Sequence, residues 1–260
     1  RVMEKHLISI ITPMYNSGQF IEETINSVLR QSHTHWEMIL IDDCSEDSSV
    51  AIIEKIMERD SRFKLIKNLK RLGPGITRNK GISKAEGSFL TFLDSDDLWF
   101  PNFLETSLKT CLTNNYEFVF SSYERKDEDL KPLISDFVVP KKVAYRDVLK
   151  SCSISCLTAF IDIRRIGKHY MPELKKRQDW GLWLAILKKI DFAYGIQEPL
   201  AVYRMRKNSV SRSKLKLIPY VWAVYRGVEK LSLIESFYLL NLWSLNGFKK
   251  YYVNTRITKK

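Results

Sequence analysis

Phe89-Leu90-Thr91-Phe92-Leu93-Asp94-Ser95-Asp96-Asp97-Leu98-Trp99 is the stretch whose reading decides the fold. Its first five residues, apolar, aromatic or β-branched, read as a buried strand. The run ends in three carboxylates within four positions, and Pro101 then opens a helix. Several like charges beside a core strand are costly to bury unless something cationic sits among them. Mg2+ and Mn2+ take oxygen ligands and commonly share them with substrate phosphates. One reading is therefore an Asp-x-Asp site for a metal and a nucleotide diphosphate at the carboxyl end of a strand. The other is a polar turn in which Asp97 caps the following helix.

Upstream of this stretch the chain alternates strand and helix. Residues 7–11 form a short apolar strand, broken by Thr12-Pro13, and Ile21, Ile25, Val28 and Leu29 then recur at helical spacing. A second strand over residues 36–41 ends in Asp42-Asp43-Cys44-Ser45, with Asp42 read as the acid that holds its own loop. Another helix carries Val50, Ile53, Ile56 and Met57 on one face, and residues 63–66 make a third strand. A loop at residues 71–75 leads to a helix bearing Arg78, Asn79 and Lys80. Strand, helix, strand, helix with short connections is the pattern of a parallel sheet wound by right-handed crossovers, and ligands gather at the carboxyl ends of such strands. Three of those ends are polar here, which points to a nucleotide-sized pocket.

Downstream, a helix to about residue 114 precedes a strand over 118–123. Residues 124–144 read as a polar excursion over the active-site face. A strand around 157–163 follows, then an amphipathic helix opened by Gln178-Asp179-Trp180, then two last strands over 192–196 and 199–203. Neither a GxGxxG fingerprint nor a P-loop occurs.

A chain of 260 residues suits one large α/β domain with an appendage. Residues 201–260 hold 13 Lys/Arg against 2 Asp/Glu, a net of +11, while residues 1–200 carry a net of only +1. That asymmetry calls for an anionic surface partner of the tail, membrane lipid or nucleic acid. Four cysteines form no zinc-like pair of CxxC motifs. Cys152 and Cys156 are close enough in sequence to bridge, but reduced thiols in a cytosolic protein are the favoured reading. Residues 1–6 show no signal-peptide pattern, and no apolar run of about eighteen residues exists to span a membrane.

Taken together, Thr12-Pro13-x-Tyr15-Asn16, Asp42-Asp43-x-Ser45, Gly73 with Arg78-Asn79, Asp94-x-Asp96-Asp97 and Gln178-Asp179-Trp180 resemble glycosyltransferase family 2 over about residues 7–204. The resemblance implies the GT-A fold: an α/β architecture with a mostly parallel central sheet flanked by helices. It also implies a UDP-sugar donor, a divalent Mn2+ or Mg2+ and inversion at the anomeric carbon. Bacterial members build O-antigen, capsule or lipooligosaccharide chains at the cytoplasmic face of the inner membrane. The saccharide acceptor then rides on a polyprenyl-diphosphate or lipid A carrier.

Carried over by motif, Pro13, Tyr15 and Asn16 match the loop that holds the base, and Asp43 the acid that reads the uracil imide. Arg78 matches the basic position near the diphosphate. Asp94 and Ser95 lie with the ribose and metal, Asp96 is the metal ligand, and Asp179 is the general base. Two departures stand out. Gln178 replaces the usual Glu before the base, altering acceptor contacts, and Arg206 stands where members often show a His. The chemistry needs these types: a metal acts as a Lewis acid on the departing diphosphate, a guanidinium suits phosphate oxygens, and one base without an enzyme nucleophile gives a single displacement. Trp180 and Trp183 either stack on a sugar face or belong to the core. Tyr15 stacks on the base or fills a buried turn.

The sequence divides into a catalytic domain, residues 1–208, and a basic helical extension, residues 209–260. Aromatic and basic residues side by side in the extension suit the interface of an anionic membrane, or else these helices cover the catalytic domain. Two rival functions are weaker. A sugar-phosphate nucleotidyltransferase calls for a Gly-rich basic loop after the first strand, where Thr12-Pro13-Met14-Tyr15-Asn16 stands instead. A nucleic-acid-binding module calls for a basic stripe over the fold, whereas the charge is confined to the tail.

Overall fold

In the computed structural model, residues 5–206 and 215–254 are described. The predicted boundary at 208/209 and five of the ten Lys/Arg of residues 209–260 lie outside them. The N-terminal half runs β1 (Ile8–Met14), α1 (Ile21–Leu29), β2 (Trp36–Asp42), α2 (Ser49–Met57), β3 (Phe63–Lys67), α3 (Pro74–Lys84) and β4 (Phe89–Phe92). These four strands are parallel, in the order β3-β2-β1-β4. Every residue of β2 and β4 is buried, as expected for strands covered on both faces.

After β4 come β5 (Leu98–Trp99), α4 (Phe103–Asn114), β6 (Phe118–Lys126), β7 (Pro132–Phe137), β8 (Lys142–Val143), α5 (Tyr145–Lys150), β9 (Phe160–Asp162), α6 (Ile163–Ile166), α7 (Gln178–Leu187) and β10 (Ala193–Arg204). They extend the sheet as β4-β9-β6-β10-β5 with mixed directions: β6 and β10 run parallel, while β9 and β5 pair antiparallel to their neighbours.

Alternate residues face opposite layers. Ile8, Ile10, Met38, Leu40 and Phe89 pack with α1, α2 and α4 on one side. Ile11, Ile39, Ile41, Leu90 and Phe92 pack with α3, α5 and α7 on the other. Helix α3 lies so close to the sheet that a Cβ at Gly81 would meet Ile11 and Ile41 at 2.6 Å. That contact fixes the direction in which Arg78 leaves the helix.

Two expectations change. The polar excursion over 124–144 is a hairpin in part: β7 pairs antiparallel with β6, and Asp127 closes the turn by accepting from Asp129 and Lys131 N–H groups at 3.0 and 2.9 Å. Its exposed edge gives it no apolar alternation to read. The two strands predicted over 192–203 are one, β10, whose register on β6 shifts on either side of Pro199, a residue with no N–H to donate.

At the C-terminus, α8 (Ile218–Ala223) continues as a π-helical turn, Val224–Val228, and α9 (Leu233–Asn254) follows. Val221, Val224, Tyr225 and Leu239 share the core of α5 and α7. Tyr225 donates to the Leu149 carbonyl at 2.9 Å and sets its ring edge-on to Trp180. The extension thus packs one side against α5 and α7. On the other side of α9, Ile234, Phe237, Tyr238 and Leu245 are 58–83% exposed.

Candidate active site

The first two polar strand ends interlock. Pro13 lies within β1, in register with Ile41. Asn16 takes a left-handed backbone (φ 46), receives the Glu46 N–H on its side-chain oxygen at 2.9 Å and donates its own N–H to Ser45 Oγ at 2.9 Å. Asn16 therefore ties the β1–α1 loop to the β2–α2 loop. Tyr15 is 37% exposed, with the Arg71 guanidinium 3.7 Å above its ring. Asp42 holds its own loop as expected, accepting from the Ser45 N–H.

Asp43 is buried and receives three hydrogen bonds: Leu72 N–H at 2.8 Å, Gly73 N–H at 2.9 Å and Asn68 Nδ2 at 2.8 Å. Burial alone pushes this carboxyl upward, but the donors outweigh it and hold Asp43 below the usual carboxylate range. A hydrogen bond from the Thr77 side chain adds to this hold. The same bonds fix Gly73, whose φ of 80 lets the chain turn into Pro74 at the first turn of α3.

Beyond β4 each acid has its own cation or backbone donor. Arg78, buried on α3, donates to Asp94 Oδ1 at 2.5 Å. Its Nε is buried without a hydrogen-bond partner. Burial works against the guanidinium's charge, yet Asp94 overrides it and pushes Arg78 above its ordinary value. Ser95 is buried, 2.6 Å from Ser17 Oγ, and so joins the acidic turn to the first loop. Asp96 faces Arg206 at 3.4 Å. Burial and the Asp94 charge beside it raise its carboxyl above the usual range.

Asp97 does not cap α4. It accepts the Arg204 N–H at 2.8 Å from the end of β10, and its own carbonyl receives Thr24 Oγ1 at 2.9 Å. Arg204 completes this clamp by donating Nε to the Asp96 carbonyl at 2.8 Å and pairing with Glu23. Its role was not readable from sequence, because its partners lie far away along the chain.

Asp179 stands in the first turn of α7, a helix otherwise buried almost all round. Arg177 before it is left-handed (φ 64). Asn79 of α3 clamps the approach, exchanging two 2.8 Å hydrogen bonds with the Met171 backbone. Trp180 and Trp183 are core residues and not sugar platforms: Trp180 is 1% exposed and donates to the Val148 carbonyl, while Trp183 packs against Phe92 and Phe118. Asp179 accepts no hydrogen bond among the described residues. Arg78 feels the charge of both Asp94 and Asp179.

One cavity of about 580 Å³ brings these groups together, with Arg78, Asp94 and Asp179 in its wall. Pro74 also lines it, directly after the Leu72-Gly73 segment that Asp43 holds. Pro13, Tyr15, Asn16, Asp43, Ser95 and Asp96 stand outside this lining. They form the adjoining strand-end loops, joined to the cavity through Asp94 and through Gly73-Pro74.

No cluster of three His, Cys, Asp or Glu side chains suited to a metal occurs among the described residues. Asp94 and Asp96 nevertheless fit a divalent cation that takes its remaining oxygens from phosphate and water, the usual arrangement for Mg2+. Both are half-buried carboxylates, and the Asp94 charge still raises Asp96 although Arg206 pairs with it.

Comparison with known proteins bears on the family and the fold. Residues 9–156 match the family model described as glycosyl transferase family 2. The chain is 39% identical over 246 residues to the putative teichuronic acid biosynthesis glycosyltransferase TuaG of Bacillus subtilis (strain 168), covering 95% of this chain and 98% of the relative. It is 35% identical over 260 residues to UDP-Glc:alpha-D-GlcNAc-diphosphoundecaprenol beta-1,3-glucosyltransferase WfgD of Escherichia coli, covering 99% and 100%. Among solved structures, S. aureus TarS 1-349 in complex with UDP-GlcNAc superposes with a TM-score of 0.68 at 20% identity, over 91% of this chain and 71% of that one. The GT-A fold expected from the motifs is thus borne out by an independent structure. Family model, full-length relatives and fold converge, and the chain belongs to glycosyl transferase family 2.

Proposed function

We propose that the protein moves a hexose or N-acetylhexosamine from a UDP-sugar to a hydroxyl of a saccharide acceptor, with inversion, in the synthesis of a bacterial surface polysaccharide. The acceptor is carried on a lipid diphosphate or lipid A. The observation that carries this reading is the single cavity walled by Arg78, Asp94 and Asp179. UDP-GlcNAc in the TarS complex and the diphosphoundecaprenol-linked acceptor in the name of WfgD support the two substrate classes.

Asp43 holds the base, and the Tyr15 ring flanks it. Arg78, in the cavity wall, serves the diphosphate, where a planar guanidinium matches phosphate oxygens. Asp96 and Asp94 would hold the divalent cation, Mn2+ or Mg2+, which supplies Lewis-acid stabilisation of the charge gathering on the departing UDP. Asp179 takes the proton from the acceptor hydroxyl as that oxygen attacks C1 from the face opposite UDP. The C1–O bond to the acceptor forms as the C1–O bond to UDP breaks, so the anomeric configuration inverts.

The exposed apolar side of α9 supports docking on an anionic membrane surface, where a lipid carrier places its sugar. No helix among the described residues is long and apolar enough to cross a membrane.

The test is transfer from a panel of UDP-sugars to N-acetylglucosamine linked to a short alkyl diphosphate. One UDP-sugar should give product with inverted anomeric configuration. Asp179→Asn should lower the rate by about 10²–10⁴-fold, the usual worth of a general base, with UDP affinity retained. Retention of configuration, or full activity in this variant, overturns the reading.

A further inference from the structure

The cavity wall carries charge beyond the Arg78–Asp94 pair. Lys175, Lys176 and Arg177 line it on the turn that delivers Asp179. None of the three belongs to an ion pair among the described residues. Lys176 and Arg177 rest instead on aromatic rings of the C-terminal helices, 5.1 Å from Tyr220 and 6.0 Å from Trp243. Arg177 also keeps a buried Nε without a hydrogen-bond partner, on a backbone held left-handed. Arg78 is balanced by Asp94. The whole lining sets Arg78, Arg125, Lys175, Lys176 and Arg177 against Asp94, Asp97 and Asp179, a surplus of positive charge.

We propose that Lys175, Lys176 and Arg177 form a second anion site, which binds the phosphate or diphosphate on the acceptor's own sugar. This rests on the acceptor reading above. The hydroxyl that attacks must lie at Asp179. An anion held by the neighbouring residues 175–177 therefore belongs to the same acceptor, close to the reacting ring. The acceptor class is thus a glycosyl phosphate or diphosphate. The reaction that supplies it is the transfer of a sugar phosphate onto a lipid carrier.

The site is tested on the full chain saturated with UDP, so that the donor pocket is filled. An undecyl diphosphate without sugar and inorganic pyrophosphate serve as calorimetric probes. Lys175→Gln/Lys176→Gln and, separately, Arg177→Asn, which tolerates the left-handed backbone, should each weaken undecyl diphosphate by about tenfold or more, as expected for lost charge-assisted bonds. Lys175→Arg/Lys176→Arg should restore binding. Pyrophosphate weakened in parallel identifies phosphate itself as the ligand; pyrophosphate that fails to bind while the undecyl ester does assigns the site to a lipid headgroup. Undecyl diphosphate binding equal to the parent in both variants overturns the proposal. If binding falls as expected but no saccharide acceptor is ever glycosylated, the transfer reaction fails and the anion site stands.

Discussion

Gly75 and Gln178 are in contact across the cavity wall: a Cβ added at Gly75 would stand 2.7 Å from Cγ and 3.2 Å from Cβ of Gln178. The first turn of α3, which aims Arg78, thereby touches the first turn of α7, which presents Asp179. The side chain at 178 packs on the donor helix and also faces the cavity. A substitution for the family's Glu at this position therefore bears on how the two helices meet as well as on acceptor contacts.

Gly75→Ala should accordingly push the two turns apart without touching substrate. A displacement of order 1 Å at the reacting groups can cost about 100-fold in rate. We expect kcat to fall at least tenfold (about 1.4 kcal/mol in barrier), with UDP affinity changed by less than about threefold. Steady-state kinetics beside calorimetric UDP titration measures both. Unaltered kcat would show that the Gly75–Gln178 contact does not position Asp179.

Asp43→Asn should loosen the segment that leads into α3. An amide has one oxygen where the carboxylate has two, so at least one of the Leu72, Gly73 and Asn68 donors loses its acceptor. Leaving a buried donor unpaired costs about 1–3 kcal/mol, readable in denaturant unfolding. UDP affinity should fall as well, by about tenfold, through the lost base contact.

The pH dependence follows from the sign of the same shift. The folded-state value of Asp43 is depressed, so its stabilisation is fully present above the ordinary carboxylate value of 3.8 and disappears as pH falls through the lower folded value. Between about pH 5 and 8 its contribution is flat. Unfolding curves of parent and Asp43→Asn should keep a constant gap over that window and converge only in strong acid. A gap that opens or closes near neutrality would assign the effect to another group.

Much of this was legible in the chain. Ile8, Ile10, Met38, Leu40, Phe89, Leu90 and Phe92 are apolar because their strands are covered on both faces, so nearly continuous runs betray them. The acids that end those strands are readable for the converse reason, being polar where burial would otherwise continue. What escaped were features set by distant partners. Nothing local marks Arg204 as the clamp on Asp96 and Asp97, more than a hundred residues earlier. Nor does anything local distinguish Trp180 under Tyr225 from an aromatic that stacks on sugar. The β6–β7 hairpin lies on an exposed edge, where no apolar rhythm is required.

Metal removal gives a fourth test. With a chelator, transfer should fall by at least about 100-fold, as expected when stabilisation of the leaving diphosphate is lost, and return on adding Mn2+ or Mg2+. Asp96→Ala should match the chelated parent and resist rescue, since it lacks a carboxylate ligand. Transfer at the parent rate in excess chelator would remove the cation from the reaction and leave Arg78 as the only partner of the diphosphate.

The last prediction concerns α9. Its inner side is anchored in the core through Leu239, while Ile234, Tyr238 and Leu245 point outward at 83%, 61% and 59% exposure. Phe237 is left untouched because its ring leans on Trp222. Replacing Ile234, Tyr238 and Leu245 by Ser removes apolar area that stability does not use, so thermal unfolding should hold. A side chain half-embedded in lipid is worth roughly 1 kcal/mol, and the triple variant should therefore bind anionic vesicles at least about tenfold more weakly. Sedimentation with phosphatidylglycerol-containing and neutral vesicles separates the apolar from the electrostatic part, because only the second responds to salt. Equal sedimentation of parent and triple variant would mean that α9 faces water in the working protein, and the carrier lipid would have to reach the cavity by another side.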